Sequence, residues 1–159
     1  MDDRRQRAQE LFARAYQAQM QGELRHAVDL YTESLALFPT AEAYTFRGWA
    51  YSFQGDYAKA IDECLRAIEL DPGFGNPYND IGAYLIEQGR LEEAVPWLEK
   101  AAQAERYDSP CFALFNLGRI YERKRQLTQA QEQYEKALAS NAHYVPAQRA
   151  LKRIRSQWN

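Results

Sequence analysis

The chain has 159 residues, 46% hydrophobic and 26% charged, enough for one continuous core and too few for a second domain beside it. No apolar run approaches the roughly 20 residues that a membrane-spanning helix requires, so the composition predicts a soluble protein. A net charge of −2, from 20 basic and 22 acidic residues, offers no overall attraction to nucleic-acid phosphates or to anionic lipid.

In chain order, the opening Met1-Asp2-Asp3-Arg4-Arg5-Gln6-Arg7 runs straight into a polar amphipathic pattern with no apolar signal-peptide core, and a cytoplasmic protein is expected. A helix is predicted over 5-21, with Leu11 and Ala15 on its apolar side, and a second over 24-37, carrying Ala27, Tyr31 and Ser34. Between them, Gln21-Gly22-Glu23 supplies a glycine able to take the left-handed conformation that ends a helix. After Pro39 the pattern repeats more sharply: Tyr44-x2-Arg47-Gly48-x2-Tyr51 in a helix over 41-54, the turn Gln54-Gly55-Asp56, then Ala60, Cys64 and Ala67 in a helix over 57-70. Past Pro72 come Tyr78-x2-Ile81-Gly82-x2-Leu85 over 76-88, Gln88-Gly89-Arg90, and Ala94, Leu98 and Ala101 over 91-104. A junction lengthened by two residues, around Tyr107-Asp108-Ser109-Pro110, precedes Leu114-x2-Leu117-Gly118-x2-Tyr121 over 110-124. The next turn reads Lys124-Arg125-Gln126, without glycine, and is expected to be the most strained. Ala130, Tyr134 and Ala137 follow over 127-140. A last helix over 145-157 carries Ala147, Ala150, Leu151 and Ile154 as an apolar stripe, suited to closing the exposed end of a helical stack. Its Arg149, Lys152, Arg153 and Arg155 have no acid near them in sequence and read as a solvated face.

Glycines 48, 82 and 118 lie 34 and 36 residues apart, and Pro39 and Pro72 lie 33 apart. Each small residue lets a partner helix approach its backbone closely. With its period, this pattern resembles the tetratricopeptide repeat, whose signature is W-x2-L-G-x2-Y, A-x3-F and P over about 34 residues. The likeness covers Ala8 to Tyr144. Departures are Ala15 for the first glycine, Arg14 and Arg47 for leucine, and Arg106 and Ala142 where proline is expected. The resemblance implies an all-α fold: a single domain forming a right-handed α-solenoid of four helical hairpins, about 8-40, 41-74, 75-108 and 111-144, plus a C-terminal capping helix, about 145-157.

At about 100° per residue, Arg47, Gly48 and Tyr51 share the core side with Tyr44, whereas Phe46, Trp49 and Phe53 face the other way. In proteins of the family resembled, that side of each first helix lines the concave groove where partners bind. The same phase offers Phe12 and Tyr16 from the first repeat, Asn79 and Asp80 from the third, and Asn116, Arg119 and Arg123 from the fourth. The groove thus reads aromatic at its start, acidic with amides in the middle and basic at its end. Asn79 and Asn116 would grip the backbone of an extended peptide. Rings such as Phe12 and Phe115 could instead pack between repeats. One receptor of chaperone tails in this family uses a clamp of lysines, arginines and asparagines for two carboxylates. Here Phe12, Tyr16 and Phe46 stand where the clamp wants lysine or asparagine, and Asp80 where it wants arginine, so an acidic tail is not the expected ligand.

The leading expectation is an adaptor that binds a peptide or helix of another protein in the groove; the alternative is a self-assembling homo-oligomeric scaffold. No enzyme is expected, because Asp80 and Glu87 lie about two turns apart on a solvated face and no nucleophile with a base stands out. Cys64 and Cys111 show no CxxC spacing, and His26 and His143 lack partners at ligand spacing. Neither a metal nor a cofactor nor a small-molecule substrate is expected, and neither nucleic acid nor membrane as a partner.

Overall fold

A computed structural model describes residues 2–158. Among them the chain forms nine helices: α1 (Asp3–Met20), α2 (Leu24–Leu37), α3 (Ala41–Phe53), α4 (Tyr57–Leu70), α5 (Asn76–Glu87), α6 (Leu91–Ala102), α7 (Pro110–Arg123), α8 (Leu127–Ser140) and α9 (Val145–Ser156). The bounds differ from the expected ones by two residues at most. The first helix starts early because the Asp2 side chain accepts a hydrogen bond from the Arg4 amide at 3.1 Å and so caps it.

Helices pack in sequence, α1 on α2, α3 on α4, α5 on α6 and α7 on α8, and the second helix of each hairpin packs on the first of the next. The first helices also touch one another in series, α1 to α3, α3 to α5 and α5 to α7. This is an all-α helical-repeat solenoid, in which each hairpin leaves apolar surface that its neighbour covers. The repeated small residues sit at the helix crossings, and Ala60, Ala94, Ala130, Ala67, Ala101 and Ala137 are all fully buried. At Gly118 a Cβ would run into the ring of Tyr134, so the α7–α8 crossing depends on the missing side chain.

Three hairpin turns place glycine in the left-handed region, Gly22 at φ 80°, Gly55 at 81° and Gly89 at 76°, and the fourth forces Arg125 to φ 60°. A non-glycine residue there costs about 1 kcal/mol, and the glycine positions show open space around a would-be Cβ. Replacing Arg125→Gly is therefore expected to stabilise the chain by up to about 1 kcal/mol in a urea titration, less the entropy the freer unfolded chain gains. A midpoint that falls would show that the Arg125 side chain contributes more than its backbone costs.

The lengthened third junction folds back on the second. Arg106 N–H donates to the Gly73 carbonyl at 2.9 Å, and Gly75 N–H donates to the Arg106 carbonyl at 3.0 Å. The Arg106 guanidinium pairs with Glu42 at 3.0 Å and Asp71 at 2.6 Å and covers the Phe74 ring. Beside Arg106, the Asp71 carboxyl is held below its usual pKa. Where the repeat pattern expects proline, arginine thus clamps two junctions together. Tyr107, next in the chain, lies against Gly75, where a Cβ would meet its ring at 2.5 Å.

Two polar features sit inside the stack. Arg47, in a leucine position, donates from Nε to Glu63 Oε2 at 2.6 Å and from Nη2 to Glu63 Oε1 at 2.9 Å, and it also reaches Thr32 Oγ1 at 3.1 Å. Burial works against its charge, yet the Glu63 hydrogen bonds prevail and hold the guanidinium above its usual pKa. At the far end, Ala147, Ala150, Leu151 and Ile154 of α9 are buried. The basic cluster on that helix is not simply solvated, as the sequence led one to expect: Arg153 grips Glu122 of α7 through two hydrogen bonds of 2.8 Å, and Arg155 approaches Glu135 at 3.8 Å. The acids were distant in sequence and are near in space.

Candidate functional site

The contiguous first helices bring the candidate residues of α1, α3, α5 and α7 onto one face. At its start the rings form a chain of tilted and edge-to-face contacts, an arrangement favoured by ring quadrupoles. Phe12 meets Phe46 with centroids 5.4 Å apart, Tyr16 meets Phe46 at 5.8 Å, Phe46 meets Trp49 at 6.0 Å, and Trp49 meets Phe53 at 5.2 Å. Their depths differ. Phe12 and Phe46 pack on the first core cluster around Leu11, Ala15 and Tyr31, Trp49 is half-buried, and Tyr16 and Phe53 are 42% and 60% exposed. Trp49 and Phe53 also border an apolar cleft with Met20 and Leu24 at the α1–α2 turn.

In the middle of the face the two amides pair with each other. Asn79 and Asn116 are buried, and Asn116 Nδ2 donates to Asn79 Oδ1 at 3.0 Å. Arg119 donates to Asn116 Oδ1 at 3.0 Å and pairs with Glu87 at 3.6 Å. Hydrogen-bond direction is thereby set along the row. The arginine can only donate, so Asn116 presents its oxygen to Arg119 and its amide to Asn79, which leaves the Asn79 amide free to favour the charged form of Asp80. The asparagines bond to each other and to Arg119 and order the floor of the face. Arg123 is exposed and reaches toward the Ile86 carbonyl at 3.5 Å, and with Arg119 facing Glu87 the basic end is partly neutralised.

Asp80 has no such neutralising partner. It lies in a cleft of about 230 Å³ with Phe46, Trp49, Tyr107 and Phe112, and desolvation pushes its carboxyl up to about 7, opposed only by the Asn79 amide. Tyr107 and Phe112 escaped the sequence reading. The only signal for Tyr107 was its place in the two-residue insertion, whereas Phe112, two residues before Leu114 in α7, falls at about 160° in the helical phase and could have been found by it. Among the described residues no group of three metal-ligating side chains could hold an ion, and no helix is long and apolar enough to cross a membrane.

A stack of helical hairpins whose first helices share one aromatic and acidic face defines a helical-repeat solenoid. Profiles of the tetratricopeptide repeat match residues 41–74 and 74–141, and the chain belongs to the tetratricopeptide repeat family. It is 28% identical over 144 residues to small glutamine-rich tetratricopeptide repeat-containing protein 2 of Mycosarcoma maydis, covering 90% of this chain and 38% of that protein. The chain therefore spans less than two fifths of the length of this curated relative. Among solved structures, PilF of Pseudomonas aeruginosa superposes with a TM-score of 0.90 at 22% identity over 97% of this chain and 70% of that one. YrrB, described as a tetratricopeptide repeat protein with an unusual peptide-binding site, superposes with a TM-score of 0.67 at 20% identity over 92% of this chain and 75% of that one. At these identities the structural matches speak to the fold.

Proposed function

We propose that this chain is a protein–protein interaction module that takes a peptide or helix of another protein onto the face lined by α1, α3, α5 and α7. The observation that carries this reading is the continuous aromatic row ending in the exposed rings of Tyr16 and Phe53. Contiguous exposed aromatic surface marks interaction sites, and such rings dominate binding energy when a partner covers them. The peptide-binding site for which YrrB is described supports the reading, as does membership of a family built on partner recognition.

The test compares two variants in stability and in partner capture. Trp49→Ala with Phe53→Ala removes half-buried and exposed rings and is expected to cost about 1 kcal/mol of folding stability. Tyr51→Ala, from a ring packed on the central core cluster, is expected to cost about 2–4 kcal/mol. Loss of two aromatic anchors worth about 2 kcal/mol together lowers partner affinity roughly 30-fold. A double variant as unstable as Tyr51→Ala would make the row structural. If the captured partner is a second copy of the chain, with mass rising with concentration, the face serves self-assembly instead of an adaptor role.

A further inference from the structure

We infer that the cleft around Asp80 takes a lysine or arginine side chain of the bound polypeptide, with the carboxylate as counter-charge and the surrounding rings as walls. This rests on the interaction-face reading above and names the chemistry of the occupant.

Three observations support it. First, Asp80 makes no ion pair with any described residue. The guanidinium of Arg119, at the far end of the asparagine pair, is engaged by Glu87 and Asn116. Second, the walls suit a cation: the aromatic residues Phe46, Trp49, Tyr107 and Phe112 line the cleft around Asp80, and aromatic surroundings attract cations. An ammonium or guanidinium carries only donors, and the Asp80 carboxylate presents acceptors with no competing positive charge in the cleft lining. Third, the hydrogen bonds from Arg119 to Asn116 and from Asn116 to the Asn79 oxygen leave the donor side of the Asn79 amide beside Asp80, next in the chain, which favours the ionised form that a cation needs. An anionic ligand would meet repulsion here. Phe46 and Trp49 belong both to this cleft and to the aromatic row, so the basic side chain sits next to an apolar residue of the same ligand.

A carboxylate without a partner in a desolvated cleft costs stability, and that cost is a second, ligand-free readout. The other titratable groups that face Asp80 are Cys64 on α4, Tyr84 on α5 and Tyr107 in the junction before α7. Burial pushes all three up, so they stay neutral between pH 5 and pH 8. The folded Asp80 pKa lies above its unfolded value, so the penalty grows as pH rises from about 4 and is complete above the folded value of about 7. Asp80→Asn is expected to melt several degrees above the wild type at pH 8, with a smaller gap at pH 5.

The experiment selects random dodecapeptides displayed on phage against the purified full chain, then measures a selected peptide against wild type and Asp80→Asn. The expected peptides carry one lysine or arginine at a fixed spacing from an apolar or aromatic residue. Replacing that basic residue with norleucine lowers affinity at least tenfold on the wild type and has little further effect on Asp80→Asn. Peptides selected for apolar residues alone, with no fixed basic position, overturn the inference and leave the interaction face standing. So does an Asp80→Asn chain that binds the basic peptide as well as the wild type does, or one that melts lower at pH 8. Selection of no peptide, or of peptides indifferent to Trp49→Ala with Phe53→Ala, overturns the interaction face itself.

Discussion

Ending the chain at Tyr144 is expected to lower stability by about 2–4 kcal/mol, near 10 °C in melting temperature for a chain of this size. The helix lost, α9, seats Ala150, Leu151 and Ile154 against Ala130 and Tyr134 of α8, and Ala147 against Cys111 and Ala137. Burying a leucine or isoleucine contributes about 1.5–3 kcal/mol, and the truncation bares both those side chains' partners and the apolar side of the last hairpin. Against this stands the ordering entropy that the missing helix no longer requires, which keeps the net below the sum of the contacts. Two further ties go with it. Arg153 bonds to Glu122, which also accepts a hydrogen bond from the Tyr134 hydroxyl at 2.7 Å, and Arg153 is the main reason the Glu122 carboxyl sits below its usual pKa. A bared hydrophobic end should also lower solubility. Thermal unfolding that is unchanged in the shortened chain would mean that α9 closes nothing.

The second large effect is expected at Glu63. Replacing Glu63→Ala leaves the Arg47 guanidinium enclosed between α2 and α4 without its carboxylate, and breaking a buried pair from one side costs about 3–5 kcal/mol. The penalty comes from the stranded charge, so restoring an apolar pair should recover it. Arg47→Leu combined with Glu63→Met is expected to fall within about 1 kcal/mol of the wild type, because a well-packed hydrophobic pair often matches a buried ion pair. Denaturant titration of Arg47→Leu, Glu63→Met and the double variant measures the coupling directly. A double variant as unstable as Glu63→Ala would show that Arg47 is held for the Thr32 hydrogen bond or its packing on Tyr44 rather than for Glu63.

The repeat architecture was legible because it is written as spacing. Small residues at helix crossings recur at intervals of 34 and 36 residues, and the one hairpin turn without glycine, at Arg125, is among the described residues the one place where a non-glycine residue takes a positive φ. The apolar stripe of α9 likewise needed only helical phase. What phase cannot supply is the partner across helices. It put Arg47 on the core side but not opposite Glu63, 16 residues on, and it put Asn79 and Asn116 on one face without showing that they bond to each other. It set Phe12 apart as a ring that could pack between repeats but grouped Phe46 with Trp49 and Phe53, although neighbouring core bears on Phe46 and leaves Phe53 to solvent. Tyr107 was hidden for a different reason. It lies in a loop, where no helical period assigns a direction, and it reaches the Asp80 cleft because Arg106 fastens that loop to the preceding junction.

The claim on which the rest depends is that a partner is bound on the face shared by α1, α3, α5 and α7. It is tested most directly by titrating a selected peptide into isotope-labelled protein and following the nuclear magnetic resonance signals of the aromatic side chains and backbone amides. The account predicts shifts centred on the Trp49 indole, Tyr16, Phe53 and Asp80, with the exposed Leu65 and Leu70 of α4 unmoved. Shifts centred on Leu65 and Leu70, with the Trp49 indole unmoved, would contradict it.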